Sequence, residues 1–189
     1  MKKIVSLLLC VLMLLPLCAC GDKGWSGTHH AEIVITDYGT ITVELNGDIA
    51  PQTTANFLNL AKKGFYNGTS FYRVLPDFGI YGGDPNRNGT GTSGTSLPGE
   101  FTANGVNNTL SNTRGAIGMA RGTHYDSASC QFYILKTDAT YLDGDFAVFG
   151  HVITGIDVVE SICSTVVGND DGYVPNANQP VIKEINVLD

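Results

Sequence analysis

One arginine lies inside an aromatic, strand-like run that ends in a pair of glycines. The run covers residues 71–84 and reads FYRVLPDFGIYGGD, with Arg73 near its start. Four of its positions are typical of strand residues that face a core: Phe71, Val74, Phe78 and Ile80. The guanidinium of Arg73 is therefore expected at the rim of an apolar surface, where few polar groups compete for it. Such a place suits a weakly polar substrate.

The N-terminus has the organisation of a secretory signal. Lys2 and Lys3 precede an apolar stretch, residues 4–17, which is interrupted by Pro16 and is too short to span a bilayer comfortably. Residues 1–19 are therefore predicted to be a lipoprotein signal peptide that takes no part in the fold.

The signal ends in a sequence that resembles a bacterial lipobox, Leu17-Cys18-Ala19-Cys20. Cleavage before Cys20 would make this cysteine the lipidated first residue, and two acyl chains give a stable anchor where one does not. Residues 20–30 are predicted to be the lipidated cysteine and a flexible tether. The expected location is the outer face of the bacterial cell membrane. The alternative is ordinary cleavage with Cys20 free.

The mature chain is acidic and long enough for one domain, predicted at residues 31–189. Cleavage before Cys20 leaves 170 residues, enough to bury about 70% of the unfolded surface. Loss of Lys2 and Lys3 leaves 9 basic and 18 acidic side chains, a formal charge of −9. That charge argues against nucleic acid or anionic headgroups as partners, so the membrane would be reached through lipid alone.

Cysteine use leaves two alternatives open. After removal of the signal and acylation of Cys20, only Cys130 and Cys163 remain in the folded part. They could form one disulfide. Two small, semi-buried thiols are the favoured interpretation, because a domain of this size does not require a covalent cross-link.

The remaining pattern is mostly that of short strands. Residues 32–36 and 40–45 alternate like a hairpin, and a helix is predicted from Pro51 to the glycine at position 64. Further strands are predicted at residues 69–75, 116–120, 131–135, 147–153 and 181–187, and a short helix at residues 156–163. Many strands with two helices indicate a mainly β protein, a closed barrel with capped ends.

Several motifs are not expected to carry chemistry. Residues 89–94 satisfy G-x-G-x-x-G but lead into Leu97-Pro98-Gly99 and not into a helix, so a loop is predicted. The histidines lack paired zinc-ligand spacing, and no serine has the G-x-S-x-G frame of a hydrolase. No metal and no cofactor are expected.

Four segments in order resemble cyclophilin-type peptidyl-prolyl cis-trans isomerases: residues 71–84, 114–121, 127–134 and 141–152. The resemblance covers nearly everything from residue 31 to residue 188. It implies a closed eight-stranded antiparallel β-barrel capped by two α-helices. It also implies that the substrates are proline-containing polypeptide segments and that the domain is a monomer. Together with the predicted signal, it leads us to expect that these segments belong to exported proteins.

The same resemblance assigns the site residues. Arg73 matches the catalytic arginine, and Phe132 is assigned to the core. The positions that match substrate-binding residues are Phe78, Tyr81, Ala120, Arg121, Gln131, Tyr133, Tyr141, Leu142 and Phe146. Gly79 and four of these positions depart from the family pattern: Gly79 replaces methionine, Tyr81 glutamine, Tyr133 phenylalanine, Tyr141 tryptophan and Phe146 histidine. These departures place one wall of the pocket and the substrate preference in question.

The chemistry expected of Arg73 needs no nucleophile. The X-Pro amide rotates over a barrier of about 18–20 kcal/mol because the nitrogen lone pair is delocalised into the carbonyl. A guanidinium N–H can bond that lone pair only when it is localised in the twisted transition state. The alternative is a chaperone module that binds proline segments with weak or no turnover, and a surface adhesin is a third class that no residue favours.

Overall fold

An eight-stranded antiparallel sheet and two α-helices form the part of the chain that the computed structural model describes, residues 24–189. The strands are β1 (Thr28–Ile35), β2 (Gly39–Asn46), β3 (Arg73–Leu75), β4 (Gly79–Gly82), β5 (Ala116–Met119), β6 (Phe132–Leu135), β7 (Val148–Thr154) and β8 (Ile182–Val187). The helices are α1 (Pro51–Lys62) and α2 (Ile156–Thr165). Short 3₁₀ turns lie at Thr102–Asn104, Thr140–Leu142 and Asn176–Asn178. The predicted signal peptide and Cys20 lie outside the described residues.

The sheet curls until its two edges meet. Its order is β3-β4-β6-β5-β7-β2-β1-β8, with every neighbouring pair antiparallel. The chain just before β3 runs beside the start of β8, where the Phe71 N–H donates to the Pro180 carbonyl at 2.9 Å. The Ile182 N–H donates to the Thr69 carbonyl, also at 2.9 Å. The predicted barrel is therefore confirmed. Its final junction, between the residues before β3 and the start of β8, is closed by a few hydrogen bonds and not by a continuous ladder.

The interior of the curled sheet is filled by alternate strand residues. Phe132 and Ile134 of β6 are fully buried there, as is Phe57 of α1. The ring of Phe57 lies 5.3–5.4 Å from the rings of Tyr66, Phe132 and Phe149, measured between centroids. Helix α1 packs against β2 and β8, and α2 packs against β2, β3 and β4. Among residues 24–189, no helix is long and apolar enough to cross a membrane.

The observed elements follow the predicted ones with small shifts. Both helices and the hairpin are confirmed, but the strand expected at residues 69–75 is in the ladder only from Arg73. Strand β4 was not foreseen as a separate element. Phe78 was predicted to face the core; it lies instead in the turn between β3 and β4, half-buried on the other face of the sheet.

The folded part also begins earlier than residue 31. Strand β1 starts at Thr28, and the Trp25 indole N–H donates to the side-chain oxygen of Asn59 at 2.9 Å. The Lys62 ammonium lies 4.1 Å from the centroid of the same indole ring. The last residues of the predicted tether therefore pack against α1.

The two cysteines within residues 24–189 are free thiols. Cys130 and Cys163 are both buried, and burial raises the pKa of each thiol to about 11. Of the two alternatives that the sequence left open, the pair of buried thiols is the one observed.

Candidate active site

Arg73 is the first residue of β3 and is held on both sides by tyrosines. In the ladder it lies opposite Tyr81 of β4, and an isolated bridge pairs it with Tyr173. The guanidinium carbon lies 5.2 Å from the centroid of the Tyr81 ring and 5.5 Å from that of Tyr173. Its Nε donates to the carbonyl of Asp171 at 2.7 Å. The two Nη groups have no hydrogen-bond partner among residues 24–189, so they are free to donate to a ligand.

Gln131 lies immediately before β6 and anchors a loop beside Arg73. Its amide nitrogen donates to the carbonyls of Gly91 at 2.8 Å and Gly89 at 3.3 Å, and its oxygen accepts from the Tyr72 hydroxyl at 2.5 Å. The buried carboxylate of Asp84 shapes the same loop by accepting from its backbone N–H groups. The G-x-G-x-x-G stretch is thus a loop, as predicted. The side-chain oxygen and nitrogen of Gln131 are therefore both used in hydrogen bonds within the protein, to Tyr72 and to the loop.

An aromatic group beside Arg73, here called the outer cluster, consists of Phe78, Tyr81, Tyr133 and Phe146. The rings of Phe78 and Tyr81 are stacked, with centroids 5.7 Å apart and an interplanar angle of 7°. Tyr133 lies 5.8 Å from Tyr81 and 6.2 Å from Phe146. Leu142 packs against the same cluster, half-buried. This arrangement places the stacked, partly exposed rings of Phe78 and Tyr81 next to the free guanidinium N–H groups.

The tyrosines of the outer cluster are protonated at neutral pH. Burial raises the pKa of Tyr81 to about 12, although the charge of Arg73 acts in the opposite direction. Burial also raises the pKa of Tyr133, whose hydroxyl donates to the side-chain oxygen of Asn112 at 2.6 Å. Both phenols are therefore neutral hydrogen-bond donors. The Tyr133 hydroxyl is already used inside the protein.

Gly79 explains why one wall of the site is missing. A Cβ at this position would lie 2.2 Å from the carbonyl oxygen of Ile134, because β4 and β6 approach closely there. No larger side chain fits that backbone, so the methionine expected from the family cannot be accommodated. Beside this position, the Tyr81 ring stacks on one face of Phe78.

Arg121 follows β5 and is held by uncharged groups. Its Nε donates to the carbonyl of Asp145 at 3.0 Å and its Nη1 to the carbonyl of Gly122 at 2.9 Å. The guanidinium carbon lies 4.6 Å from the centroid of the Phe146 ring. The neighbouring Ala120 donates its N–H to the Gln131 carbonyl at 2.9 Å, which aligns the two segments.

A groove of about 410 Å³ joins these parts. Of the predicted site residues, five line it: Arg73, Tyr81, Ala120, Arg121 and Gln131. Phe78, Leu142 and Phe146 are partly exposed beside the buried ring of Tyr133, and Tyr81 belongs both to this group and to the groove. Tyr141 is 75% exposed on a 3₁₀ turn, at the edge of the site and not inside it.

Two tyrosines, Tyr72 and Tyr173, are among the groove residues that the sequence reasoning missed. Their rings are stacked 6.1 Å apart, and Tyr173 borders Arg73. Tyr72 is in the aromatic run next to Arg73 and could have been found there. Tyr173 is 100 residues further along the chain, in a loop without a motif, so its sequence context carried no comparable signal.

Residues 30–187 match the family described as "Cyclophilin type peptidyl-prolyl cis-trans isomerase/CLD". Among similar proteins, peptidyl-prolyl cis-trans isomerase-like 1 of Rhizopus delemar is 43% identical over 135 residues, covering 70% of this chain and 80% of that protein. A peptidyl-prolyl cis-trans isomerase of Acinetobacter baylyi is 39% identical over 162 residues, covering 80% of this chain and 84% of that protein.

The fold is similar to that of a solved protein as well. A cyclophilin-type peptidyl-prolyl cis-trans isomerase of Cryptosporidium parvum, crystallised in the presence of the dipeptide Ala-Pro, superposes with a TM-score of 0.74 at 25% identity. The match covers 85% of this chain and 99% of that one.

Proposed function

Because this chain belongs to the cyclophilin family of peptidyl-prolyl cis-trans isomerases, we propose that it accelerates X-Pro rotation in exported proteins and assists their folding near the membrane surface. The isomerase class comes with the family. The export of the clients is supported by the predicted signal peptide and the lipobox-like sequence that ends at Cys20.

The observation that carries the catalytic proposal is the environment of Arg73. The Asp171 carbonyl and the rings of Tyr81 and Tyr173 hold the guanidinium in place, while its Nη groups have no partner among the described residues. The cation is therefore preorganised beside the apolar outer cluster, where a proline ring can pack. A hydrogen bond from Nη to the pyramidal proline nitrogen forms only in the twisted transition state, so it accelerates rotation without tightening ground-state binding.

The size of this contribution is limited. A hydrogen bond from a charged donor has a net value of about 1.5–3 kcal/mol, which corresponds to roughly ten- to hundredfold in rate. The remainder must come from holding the proline ring and removing water from the amide. The surface formed by Phe78, Tyr81 and Tyr133 supports that part of the proposal.

The test compares Arg73→Lys with Arg114→Lys in the mature protein. Lysine keeps the charge but loses the planar guanidinium, so Arg73→Lys should lower cis-trans exchange at saturating peptide by roughly tenfold or more. Peptide affinity and thermal stability should stay nearly unchanged. Arg114 lies outside the groove and pairs with Glu160, so its variant serves as the control. Exchange as fast in Arg73→Lys as in the parent would refute the lone-pair mechanism.

A binding module with weak or no turnover is the second candidate. It is favoured by one observation, the stacking of Tyr81 on Phe78, which covers apolar surface that a proline ring would use. If the parent protein binds X-Pro peptides but gives no exchange above the spontaneous rate, this function replaces the first one. NMR exchange spectroscopy on a panel of X-Pro peptides, with affinity measured beside it, separates the two.

Location at the membrane depends on Cys20. Acylation there, together with the folded segment that begins near Trp25, would hold the domain close to the outer membrane face of its host cell. Cys20→Ser should release the protein or leave it unprocessed in its native host. Cys18→Ser is the matched control and should partition into the detergent phase like the parent. Unchanged partitioning of the Cys20 variant would contradict the anchor.

A further inference from the structure

The groove beside Arg73 has an unusual charge distribution for so acidic a protein. The full chain has 18 acidic and 11 basic side chains, yet the residues lining the groove include two arginines and neither aspartate nor glutamate. Within residues 24–189, no carboxylate oxygen lies within 4.0 Å of the nitrogens of Arg73 or Arg121. The groove is therefore a locally cationic surface.

Arg121 is the better placed of the two to recognise an anion. Its Nε and Nη1 donate to backbone carbonyls, and three rings surround the guanidinium carbon at 4.6–5.3 Å, those of Phe101, Tyr125 and Phe146. These partners fix the guanidinium without neutralising it. Its Nη2 has no hydrogen-bond partner in the described part of the chain. A fixed, uncompensated cation with free N–H groups suits a carboxylate.

The acidic residues next to Tyr125 and Phe146 in the sequence do not form ion pairs with Arg121. The carboxylate of Asp126 accepts hydrogen bonds from the Gly99 N–H at 3.0 Å and the Asn104 amide at 2.8 Å. Asp145 contributes its main-chain carbonyl to Arg121. At the other end of the groove, exposed Asp170 and Asp171 lie close to Arg73 in the fold. Selection of an anion is therefore assigned to Arg121.

We propose that Arg121 makes this isomerase selective for segments with an aspartate or glutamate one or two residues before the proline. The proposal rests on the proposed function, in which the proline lies beside Arg73. Both arginines line one continuous groove, and in this proposal the peptide runs with the residues before its proline toward Arg121. The other lining residues are glycines, Ala120, hydroxyl-bearing side chains and Gln131, so the two arginines are the charged groups of this groove.

The test uses matched peptides that differ only in glutamate, glutamine or lysine, placed first directly before the proline and then one residue earlier. For the parent protein, kcat/KM should be roughly tenfold higher with glutamate than with glutamine at one of these positions, and lowest with lysine. The preference should weaken as salt is raised from 0.05 to 0.5 M, because the pair is partly exposed. Equal rates for glutamate and glutamine at both positions would overturn the proposal without any variant.

Substitutions then show which residue causes the preference for glutamate. Arg121→Gln should remove the glutamate preference, Arg121→Lys should keep part of it, and Arg114→Gln, which changes the net charge equally outside the groove, should leave it intact. A preference that survives Arg121→Gln would overturn the assignment. If the parent gives no exchange with any peptide, the proposed isomerase function fails. In that outcome, the dissociation constants of the glutamate and glutamine peptides test the selectivity of Arg121 independently of isomerase activity.

Discussion

Neighbouring residues on β3, β4 and β6 serve opposite faces of one sheet. The inward-facing members are at most 1% exposed and fill the barrel: Val74, Ile80 and Phe132. The adjacent members on the other face build the site: Arg73, Tyr81 and Tyr133. A one-residue step along a strand therefore separates a group that fills the barrel from a group that belongs to the candidate site.

The two faces differ in how their rings are packed. Inside the barrel, the Phe57 ring lies 5.3–5.4 Å from the rings of Tyr66, Phe132 and Phe149, and all four side chains are fully buried. On the outer face, the Tyr81 ring lies 5.8 Å from that of Tyr133 and is only partly buried. From this comparison we expect the largest losses of stability from changes on the inner face, and changes in activity from changes on the outer face.

The largest effect is expected from Phe132→Ala on the inner face. Removing a fully buried ring should cost about 3–5 kcal/mol of unfolding free energy, because the surrounding barrel can only partly collapse into the cavity. Urea denaturation followed by circular dichroism measures this cost. A loss below about 1 kcal/mol would mean that the barrel interior is not close-packed around this ring.

A smaller loss is expected from Tyr133→Phe on the outer face. The change leaves the side-chain oxygen of fully buried Asn112 without its donor, which should cost about 1–3 kcal/mol of stability. Tyr141→Phe removes a hydroxyl from a residue that is 75% exposed and should leave stability unchanged. Equal denaturation midpoints for the two variants would contradict a structural role for the Tyr133 hydroxyl.

Tyr81→Gln should affect activity more than stability. A stacked pair such as Phe78 with Tyr81 contributes about 0.5–1.5 kcal/mol, so uncovering Phe78 should raise kcat/KM by roughly two- to tenfold. The exchange assay with an unchanged peptide measures it. Slower exchange in this variant would indicate that the Tyr81 ring itself holds the proline.

The smallest predicted effect is a loss of stability just above pH 10, and one tyrosine on each face contributes to it. Burial raises the pKa of Tyr66 inside the barrel and of Tyr133 in the outer cluster. Above pH 10 the unfolded chain loses phenol protons that the folded chain retains, so stability is full below pH 10 and falls as pH rises. Unfolding free energies at pH 9 and 10.5 should differ less in Tyr66→Phe and in Tyr133→Phe than in the parent. A parent stability that is constant over this interval would contradict the burial argument.

Much of the fold could be predicted from sequence because it depends on local patterns. The alternation in β1 and β2, the proline that begins α1 and the apolar face of α2 all lie within single segments. The strand expected at residues 69–75 was placed too early, since residues 69–71 bond to the segment before β8 and not to β4. These hydrogen bonds join residues more than 100 positions apart, and no local sequence pattern indicates such a pairing.

The site divides in the same way. The run around Arg73, the segments at residues 114–121 and 127–134, and the family to which they belong can be recognised from the sequence. The groups that hold these residues are known only from the fold: the Asp171 carbonyl on Arg73, 98 residues away, the Asn112 oxygen on Tyr133 and the Gly91 carbonyl on Gln131. These partners are backbone carbonyls and a neutral amide, groups that occur throughout any chain. Their role arises only when the curled sheet brings them within hydrogen-bond distance.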